Sequence, residues 1–131
     1  MPAYRLLLIE DDFDVAEMLL MYFQALQYEV LHADTGAAGI EIARTRFPNL
    51  ILLDVMLPGA SGYDICRDLR SDPALSEVRI LMMTTRGSAL EQRRGLDLGA
   101  DGFIAKPFDP AELRGELRRL LSRRRPTPFS V

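Results

Sequence analysis

The stretch Leu50-Ile51-Leu52-Leu53-Asp54 is an apolar run without alternation that ends in a single acid. A strand that is hydrophobic at every position is typical of a parallel sheet covered by helices on both faces. A second run of this kind, Leu6-Leu7-Leu8-Ile9, leads directly into Glu10-Asp11-Asp12. We expect these two runs to be the central strands of one sheet, each followed by carboxylates.

Three more apolar runs extend this pattern along the chain. The five runs begin near residues that are separated by 21 to 28 positions: Arg5, Glu29, Leu50, Val78 and Gly102. Helix-period segments lie between them, marked by capping or terminating residues: Asp34-Thr35 before the second helix, Pro73 after the third, Ser88 before the fourth and Pro110 in the first turn of the fifth. Five βα units predict a single doubly wound α/β domain, with a five-stranded parallel sheet and helices on both faces.

Composition excludes several classes of protein. The 131 residues are 48% hydrophobic and 27% charged, which is ordinary for one globular domain. No apolar run approaches the length of a membrane span, and we expect no signal peptide. The single cysteine, Cys66, excludes a disulfide scaffold and suits a reducing cytoplasm.

Charge is distributed unevenly along the chain. Residues 1–117 carry 11 basic and 19 acidic groups, a net charge of −8, which would repel nucleic-acid phosphates. After Leu121 the apolar period is lost in a segment rich in arginine and proline. We therefore expect a folded domain over residues 1–122 and a basic, proline-containing tail or start of a linker over residues 123–131. Neither direct nucleic-acid binding nor a membrane partner is expected of the domain.

The residues that follow the strands indicate where a ligand would bind, because ligands of open parallel sheets bind beyond the carboxyl ends of the strands. Those positions hold four groups: Glu10-Asp11-Asp12, Asp54, Thr84 and Lys106. No strand is followed by GxGxxG or GxxxxGK, so dinucleotide and P-loop binding are not supported. Carboxylates that meet at one edge repel one another unless a cation lies among them, and Mg²⁺ prefers oxygen ligands. The alternative is that Asp12 or Asp14 only caps the first helix and the other acids are solvated.

Lys106 is the only lysine among 16 basic residues. A flexible ammonium group can reach a phosphoryl oxygen, and the planar guanidinium group of arginine does not replace it equally well. The alternative is an ordinary surface lysine.

Together these motifs resemble the receiver domain of bacterial two-component response regulators. The resemblance covers about residues 4–122 and rests on the order and spacing of four motifs: Glu10-Asp11-Asp12, Asp54 followed by Val55-Met56-Leu57-Pro58-Gly59, Thr84, and Lys106-Pro107-Phe108. It implies a phosphorylation-dependent switch that takes a phosphoryl group from a sensor histidine kinase or a histidine phosphotransfer protein. We expect the flavodoxin-like strand order 2-1-3-4-5.

The resemblance also implies a role for each matching residue. Asp54 would be the phosphoacceptor, and Mg²⁺ would be held by Glu10, Asp11, Asp54 and the backbone carbonyl of Met56. Thr84 and Lys106 would grip the phosphoryl group, and the Lys106-Pro107 bond is usually cis in this family. Movement of Thr84 would be coupled to rotation of Phe103, for which plain core packing is the alternative. Such a domain would catalyse its own phosphorylation and dephosphorylation without turning over a separate substrate.

The predicted first helix, residues 14–27, has one apolar stripe and a thin polar face. The stripe contains Val15, Leu19, Tyr22, Phe23 and Leu26, which recur at helical spacing. Met18, Leu20 and Met21 lie on or beside the opposite face, and the resemblance implies that a histidine-bearing helical bundle docks there. The alternative is scattered surface apolar residues.

Two further expectations concern the phosphorylated domain. The side chains of Met56 and Arg86 would flank the water that hydrolyses the phosphoryl group, and neither suits that task, so we predict a long-lived phosphate. Residues 95–101 resemble winged-helix transcription factors, which dimerise on phosphorylation, although Gly102 and Glu116 depart from that pattern. The connection over residues 71–75 is closer to receivers of chemotaxis, cyclase or hybrid-kinase type, so the downstream effector stays open.

Two other functions compete with this one. An aspartyl-phosphate phosphohydrolase of haloacid dehalogenase type would need its nucleophile after the first strand and a second aspartate two residues later. Here Asp54 follows the third strand, and the residue two positions later is Met56. A pseudo-receiver would use the fold only for protein contact, yet all the phosphorylation residues are present.

Two further residues are expected to have structural roles only. His32 should lie away from the acids with its ring hydrogen-bonded, and Cys66 should be buried beside Ile65 and Leu69.

Overall fold

The structure is a computed structural model that describes residues 4–85 and 89–122. Strands and helices alternate in the described part of the chain as the sequence predicts. The elements in chain order are β1 (Arg5–Ile9), α1 (Phe13–Ala25), β2 (Glu29–Ala33), α2 (Gly36–Arg46), β3 (Leu50–Asp54), β4 (Met56–Leu57), β5 (Ala60–Ser61), α3 (Gly62–Arg70), a short 3-10 helix (Pro73–Leu75), β6 (Arg79–Thr84), α4 (Ala89–Asp97), β7 (Gly102–Ala105) and α5 (Pro110–Ser122).

Five strands form one parallel sheet in the order β2-β1-β3-β6-β7. This is the predicted order 2-1-3-4-5, because β4 and β5 form a separate antiparallel pair. Four of the five strands of this sheet begin at the predicted residues. The exception is β6, which begins at Arg79, one residue after the predicted Val78. The doubly wound α/β prediction is confirmed, and β1 and β3 are central strands, each paired on both sides.

Helices cover both faces of the sheet. Alternate residues of the central strands pack on opposite sides: Leu6 and Leu8 join a cluster with α1 and α5, whereas Leu7 and Ile9 join a cluster with α2 and α3. Every residue of β3 is buried. The uninterrupted apolar run is therefore explained by two-sided burial.

The capping residues set the starts of the helices. The Asp12 carboxylate accepts hydrogen bonds from the backbone N–H groups of Asp14 and Val15 at 3.0 and 3.2 Å, so α1 begins at Phe13 rather than at residue 14. It ends at Ala25, not at residue 27, because Gln27 has a φ of +70°. Thr35 caps α2, and α5 begins at Pro110, as predicted.

Some predictions fall outside the described residues. These concern Arg86, the cap at Ser88 and the tail over residues 123–131. None of the helices in the described ranges has the length and apolar character that a membrane span requires.

Candidate functional site

The sheet brings the predicted site residues to one edge. Glu10 and Asp11 follow β1, Asp54 ends β3, Thr84 ends β6 and Lys106 follows β7. These four strands are neighbours in the sheet, and all run in the same direction. The parallel topology thus gathers residues that are up to 96 positions apart in the chain.

Lys106 lies between two carboxylates. Its Nζ atom is 3.2 and 3.1 Å from the two carboxylate oxygens of Glu10 and 3.2 Å from Oδ2 of Asp54. The Lys106 side chain is 18% exposed, against 1% for Glu10 and 6% for Asp54. An ordinary surface lysine is therefore the wrong description of Lys106.

The three acids form a compact cluster. One carboxylate oxygen from each of Glu10, Asp11 and Asp54 lies within 4.8 Å of the other two. Burial, together with the hydrogen bond and charge of Asp54, raises the pKa of Glu10 to about 7. The cluster holds more carboxylates than Lys106 can neutralise, and its oxygen donors have the charge and spacing that a hard divalent cation requires.

Electrostatics favours a charged Lys106. Burial by itself would lower the pKa of Lys106, but the charges and hydrogen bonds of Asp54 and Glu10 together outweigh burial and raise that pKa above its ordinary value. Lys106 therefore stays an ammonium ion, able to attract an anionic group brought to Asp54. Asp12, by contrast, caps α1 and is exposed, so the capping interpretation holds for that residue.

The loop after β3 holds the Asp54 carboxylate and backbone in place. The backbone N–H of Met56 donates to Oδ1 of Asp54 at 3.0 Å, so this oxygen is oriented independently of Lys106. Gly62 donates to the carbonyl of Val55 at 2.8 Å, and a Cβ atom at Gly62 would lie 2.4 Å from the Asp54 carbonyl oxygen. Only glycine fits this approach of α3 to β3. The Met56 side chain is 61% exposed.

Thr84 and Phe103 lie on the last two strands of the sheet. Thr84 is buried at the end of β6, and its carbonyl accepts a hydrogen bond of 2.7 Å from the backbone N–H of Lys106. The Phe103 ring packs against Gly95 of α4, where a Cβ atom would lie 2.9 Å from the ring. Phe103 is only partly buried, at the border of the core, so both the switch and the core interpretations stay open. The Lys106-Pro107 bond is cis, as the resemblance implies.

A cleft of about 820 Å³ extends from this edge toward α3 and α4. Asp11, Met56 and Thr84 line it beside the acidic cluster, and Tyr63, Glu91 and Arg94 line it between the two helices. Nothing in the sequence distinguishes the latter three residues, because contacts between side chains 28 or more positions apart leave no periodic signal.

Helix α1 has the predicted buried stripe and an apolar outer surface. Leu19 and Phe23 are buried, with Val15, Tyr22 and Leu26 packed against the same core cluster. Met18 and Met21 are 54% and 66% exposed, whereas Leu20 is only partly exposed. The apolar surface of α1 therefore centres on the two methionines.

The two residues set aside in the sequence lie inside the fold. Cys66 is buried, as predicted. Nε2 of His32 is 2.8 Å from the backbone carbonyl oxygen of Glu10, so the ring is satisfied, as predicted, but it lies nearer to the acids than expected. The reason is the parallel pairing of β1 with β2, which places His32 opposite Leu8.

Comparison with known proteins is consistent with this arrangement. Residues 6–118 match the family model described as the response regulator receiver domain. The chain is 36% identical over 126 residues to the phosphate regulon transcriptional regulatory protein PhoB of Pseudomonas aeruginosa, covering 96% of this chain and 55% of that protein. The chain spans about half the length of the curated relatives it matches.

Two solved structures are similar over nearly the whole described chain. One is the BeF3-activated receiver domain of RstA from Klebsiella pneumoniae, with a TM-score of 0.83, 31% identity and coverage of 91% of this chain and 99% of that one. The other is the receiver domain of the sensor histidine kinase PA1611 from Pseudomonas aeruginosa, with a magnesium ion in its active-site cleft, a TM-score of 0.84, 27% identity and coverage of 92% and 98%. From its sequence, its fold and the residues at its sheet edge, this chain belongs to the response regulator receiver domain family.

Proposed function

We propose that the domain is a phosphorylation-dependent signalling switch in which Asp54 accepts a phosphoryl group from a phosphohistidine donor in the presence of Mg²⁺. The observation that carries the proposal is the position of Lys106, within 3.2 Å of Asp54 and Glu10 at the carboxyl edge of the sheet. One lysine cannot neutralise two buried carboxylates. An ion pair of one lysine and one acid would stabilise the fold better, so this arrangement indicates a functional role.

The acidic cluster supports the metal assignment. Glu10, Asp11, Asp54 and the backbone carbonyl of Met56 would hold Mg²⁺, a hard ion that takes oxygen ligands and bridges carboxylates to phosphate. When bound, Mg²⁺ supplies positive charge that neutralises the phosphoryl oxygens. A related receiver domain with a magnesium ion in its active-site cleft adds support.

The protein groups then have distinct tasks. A carboxylate oxygen of Asp54 attacks phosphorus, the new O–P bond forms as the N–P bond to the donor histidine breaks, and the imidazole nitrogen keeps the electron pair. Lys106 stabilises the charge on the transferring group, and the Thr84 hydroxyl donates a hydrogen bond to it. Thr84 moves toward the phosphoryl group, and Phe103 rotates with it to change the partner-binding face.

The partners follow from this role. The donor is a sensor histidine kinase or a histidine phosphotransfer protein, which docks on α1 at Met18, Leu20 and Met21. The partner-binding face that changes with Phe103 offers a surface for a phosphorylation-dependent homodimer. Glu116, which stands where an arginine is usual, forms an ion pair with Arg119 at 2.8 Å in its own helix. Residues 1–122 form the receiver unit, residues 123–131 form the tail or linker, and the domain acts in the cytoplasm.

Intact-mass measurement after incubation with Mg²⁺ and phosphoramidate tests the proposal. We expect a single labile phosphate on the wild-type chain, none on Asp54→Ala, and loss of Mg²⁺ binding in Asp11→Ala. Continuous turnover of the donor would indicate a phosphohydrolase instead, and an unchanged mass would indicate a pseudo-receiver. A phosphate that persists in Asp54→Ala would overturn the assignment of the acceptor.

A further inference from the structure

Tyr63 joins two helices that flank the site. It is the second residue of α3 and is only 3% exposed. Its hydroxyl donates a hydrogen bond to the carboxylate of Glu91, in the first turn of α4, and also lies 3.4 Å from the Glu91 carbonyl oxygen. The guanidinium group of Arg94, one turn further along α4, lies 4.3 Å from the centroid of the Tyr63 ring. We name these three residues the α3–α4 clasp.

The clasp is attached to the phosphoacceptor strand on one side. Tyr63 follows Gly62, which packs directly on the backbone of Asp54 and Val55. The N-cap of α3 fixes this start, because the Ser61 hydroxyl accepts from the backbone N–H of Tyr63 at 3.1 Å. The Tyr63 ring therefore has little freedom to follow a helix that moves.

On its other side the clasp belongs to α4, the helix that follows β6, and β6 ends at Thr84. Glu91 lies seven residues after Thr84, so a displacement of Thr84 acts on the chain that leads into α4. Burial, and then the hydrogen bond to Glu91, raise the pKa of Tyr63 to about 12, so the hydroxyl keeps its proton and remains a donor at neutral pH. A shift of the start of α4 away from α3 would separate the two partners of this bond.

We propose that the α3–α4 clasp is a regulatory contact that holds the start of α4 against α3 and opposes the rearrangement that accompanies phosphorylation. This inference rests on the proposed function, because it assumes that Thr84 moves toward a group bound at Asp54. The contact biases a two-state equilibrium, so its removal makes the active arrangement easier to reach.

Calorimetric titration with beryllofluoride in the presence of Mg²⁺ tests the clasp, since this anion activates a related receiver domain. Tyr63→Phe keeps the ring and removes the hydrogen bond, and we expect it to bind beryllofluoride about tenfold more tightly than wild type, the value of one hydrogen bond to a charged group. Glu91→Gln should shift the affinity in the same direction. Tyr22→Phe is the matched control, because its hydroxyl donates to the Pro110 carbonyl at 3.1 Å, away from α3 and α4.

A purely structural role gives a different result. If the clasp only stabilised the fold, Tyr63→Phe would lower the melting temperature and leave the beryllofluoride affinity within twofold of wild type. Unchanged or weaker affinity in both Tyr63→Phe and Glu91→Gln would overturn the proposal.

Amide hydrogen exchange without ligand separates failure of the clasp from failure of the proposed function. Tyr63→Phe should increase exchange in α4 more than in α5, whether or not Asp54 binds an anion. Wild-type protein that binds no beryllofluoride would contradict the proposed function. Exchange in α4 that is unchanged by Tyr63→Phe would contradict the clasp.

Discussion

At the amino end of the sheet one carboxylate has two cations, whereas at the carboxyl end two carboxylates share one. Glu29 accepts from Arg5 at 2.7 Å and from Arg46 at 3.0 Å, and these contacts, led by the Arg5 hydrogen bond, lower its pKa. Burial and the neighbouring Asp54 raise the pKa of Glu10 to about 7, although Lys106, the partner that the two acids share, acts in the opposite direction.

The charged groups at the amino end of the sheet stabilise the fold, whereas those at the carboxyl end are arranged to bind a ligand. The amino end satisfies its ions with partners from its own fold and keeps them partly exposed, so little further binding energy is available there. The carboxyl end buries more negative charge than Lys106 neutralises, and a divalent cation would balance the remainder. We therefore expect substitutions at the two ends of the sheet to have different and in part opposite effects.

The largest expected effect is at the shared cation. Lys106→Met should lower the initial rate of phosphorylation by phosphoramidate by about 100-fold or more, because it removes the charge that faces the incoming group. Arg46→Met, at the amino end, should leave that rate unchanged. The measurement is intact mass against time with Mg²⁺, and a Lys106→Met rate within about threefold of wild type would contradict the role given to Lys106.

A backbone contact provides the second test. Gly62→Ala should lower the free energy of unfolding by about 2 kcal/mol, because its Cβ atom would lie 2.4 Å from the Asp54 carbonyl oxygen and 2.7 Å from Cα of Val55. Gly115→Ala in α5 is the matched control, since nothing lies within 4 Å of its added Cβ atom. It should raise stability by about 0.5 to 1 kcal/mol. Urea unfolding measures both, and equal effects would refute the close approach of α3 to β3.

The third test concerns donor docking. Met18→Glu combined with Met21→Glu should lower phosphotransfer from a cognate phosphorylated histidine protein by about tenfold or more, because it puts charges on an apolar contact surface. Labelling by phosphoramidate should not change. Phe47→Glu is the control, since Phe47 is 57% exposed near the amino end of the sheet. Equal loss of both reactions in the α1 variant would mean that the helix is needed for folding instead.

Stability should respond with opposite signs at the two ends. In EDTA, Asp54→Asn should raise the free energy of unfolding by about 1 kcal/mol, because it removes one of the crowded negative charges. Glu29→Gln should lower stability slightly, because it removes a carboxylate that has two cation partners. Urea unfolding of both variants gives the signs, and a destabilised Asp54→Asn would contradict the comparison.

The smallest expected effect is on the lifetime of the phosphate. The exposed side chain of Met56 offers no strong hydrogen bond to a hydrolytic water, so Met56→Asn should speed dephosphorylation by about fivefold. Loss of the phosphate from isolated, labelled protein measures the rate. An unchanged rate would show that Met56 does not limit hydrolysis.

Features of the fold that leave a pattern along the sequence could be predicted, and isolated side-chain contacts could not. Fully apolar runs predicted β1 and β3, and the parallel topology that follows from them placed Asp54 beside Glu10. The β4–β5 pair was missed, although Pro58 and Gly59, the latter with a φ of +75°, are a turn signal that could have indicated it.

Long-range side-chain contacts leave no comparable signal. Arg70 donates to the Asp101 carboxylate at 2.6 Å and to the Gly99 carbonyl at 2.8 Å, which links α3 to the loop before β7. The Tyr63 contact with Glu91 is of the same kind. In both cases the partners are about 30 positions apart, and only the tertiary fold brings them together.

Identifying the residue that carries the phosphoryl group tests directly whether Asp54 is the phosphoacceptor. Protein labelled with phosphoramidate and Mg²⁺ is reduced with borohydride, which converts an aspartyl phosphate to homoserine, and is then digested and sequenced by tandem mass spectrometry. We expect homoserine at position 54, and no homoserine there when EDTA replaces Mg²⁺. Homoserine at another aspartate, or labelled protein with an unaltered Asp54, would contradict it.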